Sequence, residues 1–138
     1  MKKIIFTTFI SLGVSYAFAQ KLKVSEVPIS VKNGFEKHFP SAKIKAWEKE
    51  GINFEAEFDL SKVETSALFD ATGNLLETES EITVSALPKA AIKYLLETLK
   101  GEKIKEAAKI IEANGKIKYE AEIKGKDYLF DSEGNFIK

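Results

Sequence analysis

The sequence predicts an α+β protein built from two copies of one unit, each a helix followed by a four-stranded antiparallel meander. Three observations carry this. Motifs return about sixty positions on: Val27-Pro28 as Leu87-Pro88, Lys43-Ile44-Lys45 as Lys103-Ile104-Lys105, Phe54-Glu55-Ala56-Glu57 as Tyr119-Glu120-Ala121-Glu122. Leu68-Phe69-Asp70 with Gly73-Asn74 likewise returns as Leu129-Phe130-Asp131 with Gly134-Asn135. Apolar spacing is helical after each proline, and beyond each helix it switches to a period of two. The repeats span 27–79 and 87–138, and their strands are expected to form one sheet of about eight strands with both helices on one face.

Ahead of the repeats, residues 1–19 read as an export signal. Lys2 and Lys3 precede an apolar run from 4 to 18, and Ala17-Phe18-Ala19 is a small-x-small cleavage site before Gln20. The run is short for a membrane span, and no second one follows, so no transmembrane segment is expected in the mature chain. With no cysteine near the cleavage site, a lipid anchor is not expected. Cleavage near Ala19 would leave a periplasmic or secreted single domain, 20–138. That length supports a core, and each half is near the lower limit for folding alone, so the repeats are expected to share one core.

In the first repeat, Val27, Val31, Phe35 and Phe39 have helical spacing over 28–39. Proline suits a first turn and Pro40 ends the helix, although Gly34 in its interior costs about 1 kcal/mol relative to alanine. The second helix has Ser85 as its expected cap and Ala91, Ile92, Leu95 and Leu99 as its stripe, up to Gly101. Ile52, Phe54, Ala56, Phe58 and Leu60 then alternate with Asn53, Glu55, Glu57 and Asp59; Ile117, Tyr119, Ala121 and Ile123 alternate with Lys118, Glu120 and Glu122. Their hairpin partners are 43–50 and 103–113, with Glu50-Gly51 and Asn114-Gly115 as turns. Shorter strands are expected at 63–70 with 74–79, and at 126–131 with 135–138. A polar lead, 20–26, precedes the first helix.

Composition excludes several functions. Every one of the 21 basic residues is a lysine, and without Lys2 and Lys3 the mature chain has 19 lysines against 21 acids, a net charge of −2. A nucleic-acid partner would call for a strongly basic chain with arginine forks, so none is expected. The absence of cysteine removes disulfides, thiolate nucleophiles and thiolate metal sites. His38 has no second histidine to share a metal, and at a helix end it suits the negative pole of the helix dipole. The two Asp-x-x-Gly-Asn segments lack the alternate acids and closing glutamate of a calcium loop and match the chemistry of tight turns. No Gly-x-Ser-x-Gly elbow is present, so no catalytic residue, metal or cofactor is expected, and the chain reads as a non-enzyme. An enzyme would need a cleft gathering His38 with carboxylates.

The surface that invites a function is the outer face of the sheet. Taking Ile44 and Ala46 as the inward positions sends Lys43, Lys45, Trp47 and Lys49 outward. A hairpin closing at Gly51 would then pair Lys43 with Asp59, Lys45 with Glu57 and Trp47 with Glu55, and in the second repeat Lys109 would face Glu120. Such ion pairs on a wet face set register and solubility more than stability. Trp47, the lone tryptophan, would stand among lysines as the anchor of a partner site, with Lys45, Glu55 and Glu57 as its charged rim. The alternative is that Trp47 packs beneath the loop around 61–65 or under lysine stems. Trp47 corresponds to Ala107, so the asymmetry between repeats would mark the contact region. A second function class is a small-ligand carrier with Phe35, Phe39, Phe58, Phe69 and Tyr94 lining a cavity between helices and sheet.

These residues carry a resemblance. Val27-Pro28, Phe35, the run from Phe39-Pro40-Ser41-Ala42 to Lys43-Ile44, Trp47-Glu48-Lys49, Phe54-Glu55-Ala56-Glu57-Phe58 and Leu68-Phe69-Asp70 with Gly73-Asn74-Leu75-Leu76-Glu77-Thr78-Glu79 are similar to the PepSY-like family of exported Bacteroidetes proteins, also described as beta-lactamase-inhibitor-like. The endings Tyr119-Glu120-Ala121-Glu122-Ile123 and Asp131-Ser132-Glu133-Gly134-Asn135-Phe136-Ile137-Lys138 resemble it too. The resemblance implies a tandem α/β repeat like the beta-lactamase inhibitory protein fold, with a shared sheet surface offered to an envelope or secreted protein. PepSY domains more broadly are associated with restraining peptidases. No contact motif of the inhibitor is matched here, and its disulfides cannot form in this chain, so no functional residue is carried over.

Overall fold

Sequential antiparallel pairing of eight strands makes one sheet, in a computed structural model that describes residues 20–138. The export signal expected over 1–19 lies outside the described residues. The strands are β1 (Gln20–Leu22), β2 (Ile44–Glu50), β3 (Asn53–Leu60), β4 (Val63–Phe69), β5 (Leu75–Ile82), β6 (Glu106–Glu112), β7 (Ile117–Ile123) and β8 (Lys126–Asp131). Helix α1 (Ile29–His38) precedes β2, and α2 (Lys89–Thr98) precedes β6. The expected total of eight strands is met with a different membership. The stretch 135–138 contributes a single bridge, Phe136 to Phe130, and the eighth strand is β1, from the polar lead.

Each helix begins behind a proline whose φ, −55° at Pro28 and −53° at Pro88, is already close to helical. Ser85 is not the cap of α2; it sits in the 3-10 turn Val84–Ala86, its hydroxyl 3.1 Å from that of Thr83. Gly34 repays its helical cost through contact. A Cβ there would collide with the carbonyl oxygen of Gly73, in the Asp70–Asn74 turn. Ser30 Oγ donates to the Ala71 carbonyl at 2.8 Å in the same seam. The turn of the first repeat thus seats directly against its helix.

The helix-facing side of the sheet holds two cores rather than the single shared one expected. Val31, Phe35, Trp47, Phe54, Phe58 and Phe69 form one under α1; Ala91, Leu95, Ala107, Ala121, Ile123 and Phe130 form the other under α2. The reason is width. Strands stand about 4.8 Å apart, so eight of them outspan one helix of about 10 Å diameter, and each helix covers its own end. Between the ends, β5 and β6 continue the ladder from Glu77↔Glu112 to Ile82↔Ala107, so the backbone joins what the cores divide.

Candidate functional site on the helix-free face

Trp47 is the first correction. It is 2% exposed, on the helix side, with its ring 5.9 Å from that of Phe35 in an edge-on contact. A two-residue loop, Gly51-Ile52, closes the hairpin, so Trp47 pairs with Ala56 and Glu48 with Glu55. Ile44 still faces Phe58, and the two registers meet in an irregularity between Ile44 and Ala46, at Lys45. Shifting register by one residue exchanges the faces of the whole strand. Trp47 is therefore a core residue, not a partner anchor. Lys45 stays exposed at the rim, its Nζ 2.6 Å from Asp59 Oδ1, making the ion pair expected of Lys43. Lys49, sent inward with Trp47, sets its ammonium 3.8 Å from the centroid of the Phe54 ring.

The second hairpin shifts as well. Its loop is Ala113-Asn114-Gly115, with Gly115 at φ 84° and its N–H donating to the Glu112 carbonyl at 2.8 Å. Three-residue loops of this kind place glycine in the left-handed position. Lys109 consequently faces Tyr119, and Glu120 faces Ala108.

These registers replace the expected ladder of lysine–glutamate pairs with carboxylate opposite carboxylate. On the face away from the helices Glu48 stands opposite Glu55, Asp59 opposite Glu64, Glu77 opposite Glu112, Glu106 opposite Glu122, and Glu122 opposite Asp127. Like charges directly across a ladder destabilise a sheet. Glu112 is relieved by an ion pair with Lys118, and Glu122 by Lys105 at 3.2 Å. Glu48, Glu50 and Glu55 make no ion pair among the described residues.

Several of these groups hold protons unusually well. Burial, then the charge of Glu50, pushes Glu55 up to about 8 against an opposing hydrogen bond from Ser66, with smaller pushes from Glu57 and Glu48. Glu120 rises to about 8 through burial and the nearby Asp127, Glu77 and Glu122. Glu50 rises to about 7 through burial, Glu77 and Glu48. Glu57, Glu77 and Asp127 are raised by the same leading cause. Glu55 is 3% exposed, and its Oε2 meets no hydrogen-bond donor among the described residues. Of the four residues expected to meet a partner, Glu55 and Glu57 thus share this face, Lys45 borders it, and Trp47 is behind it. Sequence reading missed Glu48, Glu50 and Glu77. The signal was there for Glu48 and Glu77, which fall in strands beside Trp47 and Leu76, but it needed the right register.

The other sequence candidates resolve into structure. Asp70 Oδ1 accepts from Thr72 N at 2.9 Å, Thr72 Oγ1 at 2.7 Å and Asn74 N at 3.0 Å, while Oδ2 accepts from Asn74 Nδ2 at 2.9 Å. These bonds hold its carboxyl down to about 2. Asp131 is lowered for the same reason, led by Asn135. Both carboxylates are spent on their own turns. Among the described residues no trio of His, Cys, Asp or Glu is arranged to hold a metal ion. His38 is exposed at the end of α1, beside Phe39 and Phe69. The proposed carrier aromatics pack on one another: Phe39 and Phe58 centroids lie 4.7 Å apart, Phe35 and Phe58 5.0 Å, Tyr94 and Phe130 5.8 Å. That is ring contact, which fills the helix–sheet space with core.

Among the described residues no helix is long and apolar enough to cross a membrane. The family model described as "Putative beta-lactamase-inhibitor-like, PepSY-like" matches residues 17–76 and 56–138. Solved structures with this fold include a protein of Bacteroides eggerthii described as a "putative periplasmic" protein, at 16% identity and TM-score 0.71, covering 81% of this chain and 86% of that one. A BLIP-like protein of Bacteroides fragilis has 24% identity and TM-score 0.59, over 79% of this chain and 82% of that one. No curated protein matches by sequence.

Proposed function

The chain belongs to the PepSY-like, beta-lactamase-inhibitor-like family, and we propose that it is an exported, non-catalytic module that binds another envelope or secreted protein through the helix-free face of its sheet. One observation carries this reading. The sheet sets carboxylate against carboxylate across neighbouring strands, an arrangement that lowers stability and so serves something other than folding. Fold likeness to BLIP-like and periplasmic proteins supports the compartment and the binding role; it names no target. The mechanism would be occlusion by a rigid surface, with Glu55 and Glu57 on it and Lys45 at its border. Release after cleavage near Ala19 would deliver the domain to the periplasm or beyond.

The test is affinity capture from the native envelope with three baits: the wild type, an open-face variant (Glu55→Lys with Glu77→Lys) and a helix-side variant (Lys93→Glu). Partners retained by the wild type and the helix-side bait but lost from the open-face bait would support the reading. Equal capture by all three folded baits would defeat it.

A further inference from the structure

The site's chemistry specifies the partner more narrowly. We infer that the helix-free face receives a lysine- or arginine-rich protein segment, an inference that rests on the protein-binding reading above and names its ligand class. The carboxylates Glu48, Glu50 and Glu55 lie together at one end of this face with no ion pair among the described residues, while Lys45 engages Asp59 at the rim. Glu55 adds an independent sign. Its side chain is more than nine-tenths buried, Oε2 lacks a donor among the described residues, and the carboxyl is within reach of the charges of Glu48, Glu50 and Glu57. A buried acceptor left without a donor is costly, and an ammonium or guanidinium supplies that donor together with the missing positive charge.

Other occupants fit less well. A divalent ion needs six to eight oxygens converging on a point, whereas these carboxylates are spread along strands and form no metal trio among the described residues. A second copy of the chain would bring the same negative face. Polyanions are repelled for the same reason.

Binding should also be linked to protons. Glu55 is faced by Glu48 and Glu50 from β2, by Glu57 on its own strand and by the Ser66 hydroxyl from β4; Lys21 on β1 lies opposite Glu48. Glu50 in turn feels Glu77 from β5. A cationic segment favours the charged carboxylates, so it expels protons as it docks, and affinity should rise as pH climbs through about 7 to 8.

The experiment is titration of the mature chain with a fluorescent oligolysine peptide, with oligoglutamate as the control. Expected results are saturable oligolysine binding that weakens at least about tenfold between roughly 50 and 300 mM salt. It should tighten about tenfold or more from about pH 6 to about pH 8.5. Glu48→Gln with Glu55→Gln should weaken it about tenfold without lowering the melting temperature, whereas Glu36→Gln on α1 leaves it unchanged. The inference is overturned by absent oligolysine binding, or by equal loss in both variants. It is also overturned by stoichiometric calcium displacing the peptide, or by the face proving to be a contact between two copies. If oligolysine fails while the open-face bait still loses its captured protein, the ligand class falls and the protein-binding reading survives.

Discussion

The two repeats share a topology and fill it with different side chains. Beneath α1 the core is aromatic, with Phe35 set against Trp47 and Phe58 and Phe54 in the same cluster; beneath α2 the equivalent places hold Leu95, Ala107, Tyr119 and Ile123. Large and small residues trade positions between the copies. Gly34 lets α1 touch its turn, whereas Tyr94 holds that place in α2 and stacks on Phe136 with centroids 4.7 Å apart and planes 12° from parallel. The helix-free face varies differently. Glu48 and Glu50 have become Ala108 and Ile110, but Glu55 and Glu120 stand at equivalent positions and are both pushed up to about 8. The repeats therefore share one raised carboxyl each at this face, while their cores differ in side-chain volume. The asymmetry between Trp47 and Ala107 marks a difference in core volume, not the contact region expected from alternation.

The largest test of that contrast is Trp47→Ala. Removing a fully buried tryptophan should lower stability by about 3–5 kcal/mol in urea unfolding, and wild-type fluorescence should resist acrylamide quenching. Ready quenching would break the aromatic-core assignment. Next comes pH. Glu55 and Glu120 keep their protons in the folded chain far above the 4.5 of an ordinary glutamate, so between about pH 4.5 and 8 the native state binds more protons than the unfolded one. Stability supplied by these groups is then full below that window and lost as pH rises through it, a fall on the order of a few kcal/mol. Glu55→Gln and Glu120→Gln should each flatten the profile; if only one does, the equivalence of the repeats fails at this face. Gly34→Ala should cost about 1–3 kcal/mol by thermal unfolding, since α1 would be levered off its turn. Alanine tolerated there would mean that the two helix seats are alike. The smallest effect concerns the second hairpin of each repeat. Ser61-Lys62 turns with φ of 51° and 68°, and its counterpart is Lys124-Gly125 at 53° and 72°. Lys62→Gly copies the later turn into the earlier one and should raise stability by about 0.5–1 kcal/mol.

Helices, strands and turns were legible because proline starts, period-two alternation and Asp-x-x-Gly-Asn segments are local signals. Register was not. In Ile44-Lys45-Ala46-Trp47-Glu48-Lys49 both parities contain apolar residues, so alternation alone left the strand two ways to face. The larger apolar area of Trp47 decides for the inward position, and the irregularity at Lys45 lets Ile44 keep its place opposite Phe58. The carboxylate cluster follows from that choice alone, which is why Glu57 and Glu120 were expected opposite lysines and Glu48, Glu50 and Glu77 were not anticipated. The short edge strand β1 was unreadable for another reason: three residues, Gln20–Leu22, carry no periodicity, and their pairing with β2 is a tertiary fact.

Strand order that never departs from chain order has a consequence for biogenesis. Every strand after β1 finds a partner in the strand that left the synthesising or translocating machinery before it, so contacts close over short chain separations and folding should be fast. The aromatic half could complete its own core and then offer β5 as a ready edge on which the later half assembles, strand by strand. A chain shortened after Ile82 should accordingly collapse with a buried Trp47, whereas one beginning at Val84 should lack the template on which β6 pairs. Comparing the tryptophan emission of the first fragment with the solubility of the second would show whether this vectorial order holds.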